Sequence, residues 1–237
     1  MAEPKRLGML VPSSNTVVEP ETARLLPPDG GVSVHVSRLK VVQLTADDGS
    51  LQQFELDRVL TAAELLADAK VDLILWNGTA ASWLGFARDT AMVEAIERAT
   101  GIPATTAIIA LNDRLAALGA RRIGLVTPYV EALERRIIAH YEAAGFTVAA
   151  AVRADLTENT DYAAIPPARI ADMARAVART PVDAILILCT NLAGAGIAPP
   201  LSAELGIPVL DSVVVALEHS LALLGGTKDK GTAREQA

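Results

Sequence analysis

A single cysteine, Cys189, stands in the stretch Leu188-Cys189-Thr190-Asn191. A thiol beside a hydroxyl and an amide can deliver or remove a proton, or attack carbon. At a strand end that feeds a helix its pKa is expected to fall. Three further polar turns carry related chemistry: Pro12-Ser13-Ser14-Asn15-Thr16, Trp76-Asn77-Gly78-Thr79-Ala80-Ala81-Ser82 and Thr127-Pro128-Tyr129. Asn15, Thr79, Tyr129 and Cys189 are all hydrogen-bond donors, and none adds a fixed negative charge. Such a set favours a carboxylate or an enolate. Backbone N–H groups exposed at these turns, with a helix N-terminus behind them, suit an anion as well.

These turns must be held by regular elements, and the hydrophobic pattern supplies them. Lys5 to Val11, Val32 to Leu39 and Val71 to Trp76 read as strands, the last continuous enough to be covered on both faces. Leu51 to Ala69, Arg88 to Thr100 and Thr105 to Leu118 have helical spacing, with Gly101, Pro103 and Gly119 as stops. Strands alternating with helices predict an α/β fold with parallel sheets.

The chain also repeats itself. Arg6-Leu7-Gly8-Met9-Leu10-Val11-Pro12 matches Arg122-Ile123-Gly124-Leu125-Val126-Thr127-Pro128, and Val71-Asp72-Leu73-Ile74-Leu75 matches Val182-Asp183-Ala184-Ile185-Leu186. Gly101-Ile102-Pro103 matches Gly206-Ile207-Pro208. Three blocks in the same order predict two pseudo-symmetric lobes, 1–118 and 119–225. The arrangement leaves the C-terminal helix free to be exchanged between lobes, and the polar stretch 226–237 reads as a disordered tail. Each lobe is then a parallel sheet flanked by helices, with an active site in the inter-lobe cleft. In that register Gly78 falls opposite Cys189, and Thr79 opposite Thr190.

Composition narrows the function. Half the residues are hydrophobic (51%), which excludes a disordered chain, and the net charge of −7 argues against nucleic acid. One cysteine and three scattered histidines, His35, His140 and His219, give no metal-ligand spacing, so no metal is expected. The histidines read as structural. The segments carry no signal peptide and no membrane span, which predicts a cytoplasmic protein without a membrane partner.

GMLVPSSNT (8–16), NGTAAS (77–82), TPY (127–129) and LCTN (188–191) together resemble the aspartate/glutamate racemase superfamily. The likeness is to the branch holding maleate cis-trans isomerases and arylmalonate decarboxylases, and it covers about residues 5–224. It implies an enzyme that needs neither metal nor organic cofactor and acts on a small dicarboxylate, with an oligomer allowed. Cys189 matches the second-lobe catalytic cysteine. Gly78 stands where racemases and maleate isomerases have a first-lobe cysteine. Arylmalonate decarboxylases have Gly-Thr-Ser there, and this chain has Gly78-Thr79-Ala80. Tyr129 matches a substrate-binding tyrosine of both families, whereas Asn15 is similar to the carboxylate-holding asparagine of maleate isomerases.

Each residue also has a plainer reading. Cys189 can be a small buried hydrophobe. Thr79 and Thr190 can be N-caps, and Asn15 an Asx-turn residue. Trp76 and Trp83 fit a core, although Trp83 could also wall the cleft. Glu131, Glu134, Arg135 and Arg136 read as a solvated helix face. With one cysteine, two-base racemisation lacks its second acid. Decarboxylation of a disubstituted malonate needs only one, with Cys189 as catalytic proton donor and Asn15, Gly78, Thr79, Tyr129, Thr190 and Asn191 binding the substrate. The alternatives are a maleate-isomerase-like enzyme and a non-catalytic binder of small acids.

Overall fold

A computed structural model describes residues 3–26, 31–45 and 52–226. The first sheet holds β1 (Lys5–Pro12), β2 (Val32–Leu39), β3 (Leu73–Trp76) and β4 (Ala104–Thr106), in the order β2-β1-β3-β4. The second holds β5 (Arg122–Thr127), β6 (Thr147–Arg153), β7 (Ala184–Ile187) and β8 (Val209–Asp211), in the order β6-β5-β7-β8. Every strand pair within them is parallel, and the two orders superpose position for position. The protein is therefore an α/β fold of two parallel four-stranded sheets flanked by helices.

Two of the four central strands, β3 and β7, are short and wholly apolar. All four residues of β3 and all four of β7 are buried, as expected for strands covered by helices on both faces. An aspartate ties the start of each lobe together in the same way. The carboxylate of Asp72 accepts the backbone N–H of Arg6 and the ammonium of Lys5, and that of Asp183 accepts the N–H groups of Arg121 and Arg122.

The helices are α1 (Val18–Leu25), α2 (Leu56–Asp68), α3 (Ala81–Leu84), α4 (Phe86–Thr100), α5 (Ala107–Ala117), α6 (Glu131–Ala143), α7 (Asn159–Ala163), α8 (Pro167–Val177), α9 (Ala198–Leu205) and α10 (Ser212–Gly226). Gly101 and Gly206 end α4 and α9 in the left-handed conformation, with φ of 70° and 64°.

Some boundaries differ from the sequence expectation. The helix expected from Leu51 begins at Leu56, and Leu51 lies outside the described residues. The helix expected from Thr105 begins at Ala107, because Ala104 to Thr106 pair with β3 as a fourth strand. Three residues are too few for a periodic signal. The tail expectation falls on residues 227–237, outside the described residues, while Gly226 ends α10.

Two packing features position the cleft. Val213, Ala216 and Leu217 of α10 pack with Leu7, Met9, Leu73 and Leu75 of the first sheet. In the other direction, Ala80, Ala81 and Trp83 share a core with Tyr129, Leu133, Ile137 and Tyr141 that follow β5. Apolar packing thus crosses from lobe to lobe on both sides of the strand ends. No helix among the described residues is long and apolar enough to cross a membrane.

Candidate active site

β1, β3, β5 and β7 all deliver their carboxyl ends to one cleft between the sheets. The cleft is lined by Asn15, Gly78, Thr79, Tyr129, Cys189, Thr190 and Asn191, so it gathers every residue that the sequence assigns to catalysis or substrate binding. Val41, Leu44, Phe54, Trp76 and Trp83 form its apolar wall. Trp83 is therefore both core and cleft wall. Asn159 lines the cleft too and was not found from the sequence. Its one signal was an asparagine opening a short helix, a common arrangement far from any site.

Hydrogen bonds cross the cleft. The Thr79 and Tyr129 hydroxyls lie 2.9 Å apart. The Asn15 amide donates to Thr190 Oγ1 at 3.2 Å, and the Thr190 hydroxyl donates to the Asn77 carbonyl at 3.1 Å. The Thr16 N–H donates to Asn191 Oδ1, the Asn191 amide donates to the Asn159 carbonyl, and the Asn159 amide donates to Ser14 Oγ. Neither Thr79 nor Thr190 spends its hydroxyl on a helix cap. Asn15 does serve the turn, since its Oδ1 accepts the N–H groups of Val17 and Val18 while its amide reaches Thr190. His140 is a structural latch between lobes, its ring Nδ1 lying 3.0 Å from the Ser82 carbonyl oxygen.

The backbone completes the donor set. Among the described residues, no acceptor takes the N–H groups of Gly78, Thr79, Cys189 and Thr190. All four residues are buried. A buried N–H without a partner is costly. Two pairs of them, one at each strand end, are donors of the kind that an oxyanion needs.

Cys189 is 3% exposed, and its sulfur accepts the Asn191 N–H at 3.4 Å. Burial pushes the thiol up to about 11, against the pull of the Asn191 N–H and the Tyr129 hydroxyl; the buried Asp211 nearby adds to the rise. This corrects the expectation of a lowered pKa. Residues 190–197 are not helical and α9 starts only at Ala198, so the helix expected directly after the sulfur is not there, and desolvation wins. Cys189 is thus a thiol, not a thiolate, near neutral pH. Burial, with the charge of a Cys189 thiolate next in weight, also raises the Tyr129 phenol well above its ordinary value, leaving it a neutral donor or acceptor.

Glu134 corrects the reading of α6 as a solvated face. It is buried, it accepts the Thr127 hydroxyl and it pairs with Arg153 at 3.0 Å, fixing the turn that carries Tyr129. Glu131 and Arg135 do form an exposed pair.

The family model described as arylmalonate decarboxylase matches residues 7–234. The chain belongs to the arylmalonate decarboxylase family. Its similarities within that family run in two directions. It is 31% identical to a maleate isomerase of Nocardia farcinica over 219 residues, covering 88% of this chain and 85% of the relative. It is 27% identical to an arylmalonate decarboxylase of Bordetella bronchiseptica over 223 residues, covering 93% and 90%. A solved structure of the Nocardia farcinica maleate cis-trans isomerase, a cysteine-to-serine variant with a covalently bound succinylcysteine intermediate, matches with a TM-score of 0.84 at 27% identity, covering 94% of each chain. Both named activities in the arylmalonate decarboxylase family are thus represented among relatives that span nearly the whole chain.

Proposed function

We propose that this protein is a decarboxylase of a disubstituted malonate-type diacid that uses Cys189 as proton donor. The observation that carries the reading is one cleft that brings Cys189 together with Gly78, Thr79 and Tyr129, so that one strand end offers a buried thiol and the equivalent one offers none. One carboxylate of the diacid is held by the free N–H groups at the two strand ends, with Thr79 and Tyr129 beside them. The other faces the apolar wall, where its charge is poorly solvated. Cleavage of the carbon–carbon bond releases CO₂ and leaves the electron pair in an enediolate, which the donors stabilise. The Sγ–H proton then passes to carbon, leaving a thiolate that solvent reprotonates. Delivery from one wall makes a single enantiomer.

A pKa near 11 suits this role, since the group must rest protonated and release its proton to a carbanion, a far stronger base. It suits a resting nucleophile less well.

The second reading is maleate isomerisation. Asn15 supports it, as does the naming of the Nocardia relative, in which a cysteine is seen bound to a succinyl group. Here Cys189 itself would have to add to the double bond, because Gly78 offers no nucleophile. Purified protein given α-methyl-α-phenylmalonate is expected to release CO₂ and yield one enantiomer of 2-phenylpropanoate. Conversion of maleate to fumarate without CO₂ release from malonates would establish the isomerase reading. Binding of small diacids by calorimetry with neither turnover would leave a binding protein.

A further inference from the structure

Gly78 has no conformational need to be glycine. It is absent from the positions of positive φ, so its backbone accepts any side chain. What bars a side chain is the indole of Trp76. A Cβ built on Gly78 would stand 2.5 Å from Trp76 Cζ2 and 2.7 Å from Cε2, distances that real Cβ atoms do not tolerate.

The indole is held in place. Trp76 ends β3, is 2% exposed and packs with Leu10, Leu39, Val59 and Ile74. Phe54 meets it edge-on at 6.3 Å and meets Trp83 edge-on at 5.5 Å, so the three rings form one wall. Beyond that wall lies a separate, open and mostly apolar pocket, which Trp76, Phe54 and Ala80 also line. Trp76 is therefore the partition between this pocket and the first-lobe face of the cleft.

We propose that Trp76 is the specificity-determining residue of this site. Its indole takes up the volume that an acid on the first-lobe wall would need, and so decides that the substrate carbon meets an acid from the Cys189 side alone. This rests on the proposed function, in which Gly78 and Cys189 face each other across the substrate. It adds that glycine at 78 is a consequence of the ring, and that a thiol placed there needs the ring removed first.

The test is a cycle of four proteins: wild type, Gly78→Cys, Trp76→Leu and the double variant. Thermal midpoints are read without substrate. Gly78→Cys is expected to lower the midpoint by several degrees in the wild-type background and by none in the Trp76→Leu background. An equal drop in both, or no drop in either, overturns the proposal. Should Trp76→Leu fail to fold, Trp76→Phe, which keeps a smaller ring in the wall, replaces it in the same cycle. The second readout is loss of optical purity of enantiopure 2-phenylpropanoate in deuterium oxide. The double variant is expected to racemise it at least tenfold faster than Gly78→Cys alone. Racemisation by both at the same measurable rate also overturns the proposal. A stability cycle as expected, with no racemisation by either, leaves the space-filling role of Trp76 standing. It counts instead against the facing geometry assumed in the proposed function.

Discussion

At the residue scale the chemistry turns on one sulfur and its surroundings. Burial works against ionising Cys189, and the Asn191 N–H at 3.4 Å, the Tyr129 hydroxyl and the Leu192 N–H only partly offset it. Alkylation of Cys189 by iodoacetamide should therefore accelerate with pH well above the range of an ordinary thiol, towards pH 11. A midpoint at or below 8.5 would contradict the burial argument. Cys189→Ala removes the proton donor without disturbing the oxyanion donors. CO₂ release is expected to fall by about 10²–10⁴-fold, the usual contribution of a general acid. Retention of activity by that variant would refute the assigned role.

At the element scale, four strand ends have to be held against each other, and side-chain amides do much of this. Asn159 opens α7 and joins Ser14 of the β1–α1 turn, while its carbonyl takes the amide of Asn191. Asn159→Ala keeps that carbonyl and loses the link to Ser14. The expected cost is about 1 kcal/mol of stability, typical of one hydrogen bond. Because the link positions the turn that carries Asn15, KM for the diacid should rise more than kcat falls. Steady-state kinetics check this, and a drop confined to kcat would place Asn159 in the chemistry instead. The short strand β4 and the burial of Glu134 show why elements were read less completely than residues. β4 owes its existence to pairing with β3, and Glu134 is drawn inward by Thr127 and Arg153, which lie on the neighbouring strands and not on its own helix.

At the scale of the whole molecule, two buried carboxyls impose a pH dependence on stability. Burial raises Asp89 to about 7, although the Thr106 hydroxyl donates to it, and burial raises Asp211 to about 7 as well. A folded pKa above the unfolded one means that the folded chain holds the extra proton between pH 4 and 7. Stability then declines as pH rises through that window and levels off above it. Asp89→Asn keeps an acceptor for Thr106 but cannot ionise. Its advantage over wild type should therefore grow from pH 4 to pH 7, by up to about 4 kcal/mol for a three-unit shift. Denaturant midpoints at pH 5 and pH 8 measure it, and parallel curves for the two proteins would show that Asp89 does not titrate in this range. Asp72 and Asp183 act in the opposite sense. For Asp72 burial works against the ionised form but loses to the Arg6 N–H and Lys5, and for Asp183 the N–H groups of Arg122 and Arg121 hold the carboxylate low. Their stabilisation is present above the unfolded value and is lost as pH falls through the lowered folded one.

The amino-acid sequence by itself determined the architecture and which four strand ends meet at the cleft. Apolar runs such as Leu73–Trp76 and Ala184–Ile187 announce buried parallel strands because backbone periodicity is a local property. The internal repeat adds what local pattern cannot, since two copies of one unit must place equivalent strand ends alike. That is how the repeat pairs Gly78 with Cys189. Only the tertiary structure decided the ionisation of Cys189, the recruitment of Asn159 and the filling of the space above Gly78 by Trp76. The first two depend on groups distant in sequence, through desolvation and hydrogen bonding, and the third on the way the packed core turns an indole only two residues from Gly78; none of these is written in spacing along the chain. The lone cysteine says that one wall of the cleft lacks a thiol, and the indole packed over Gly78 says why.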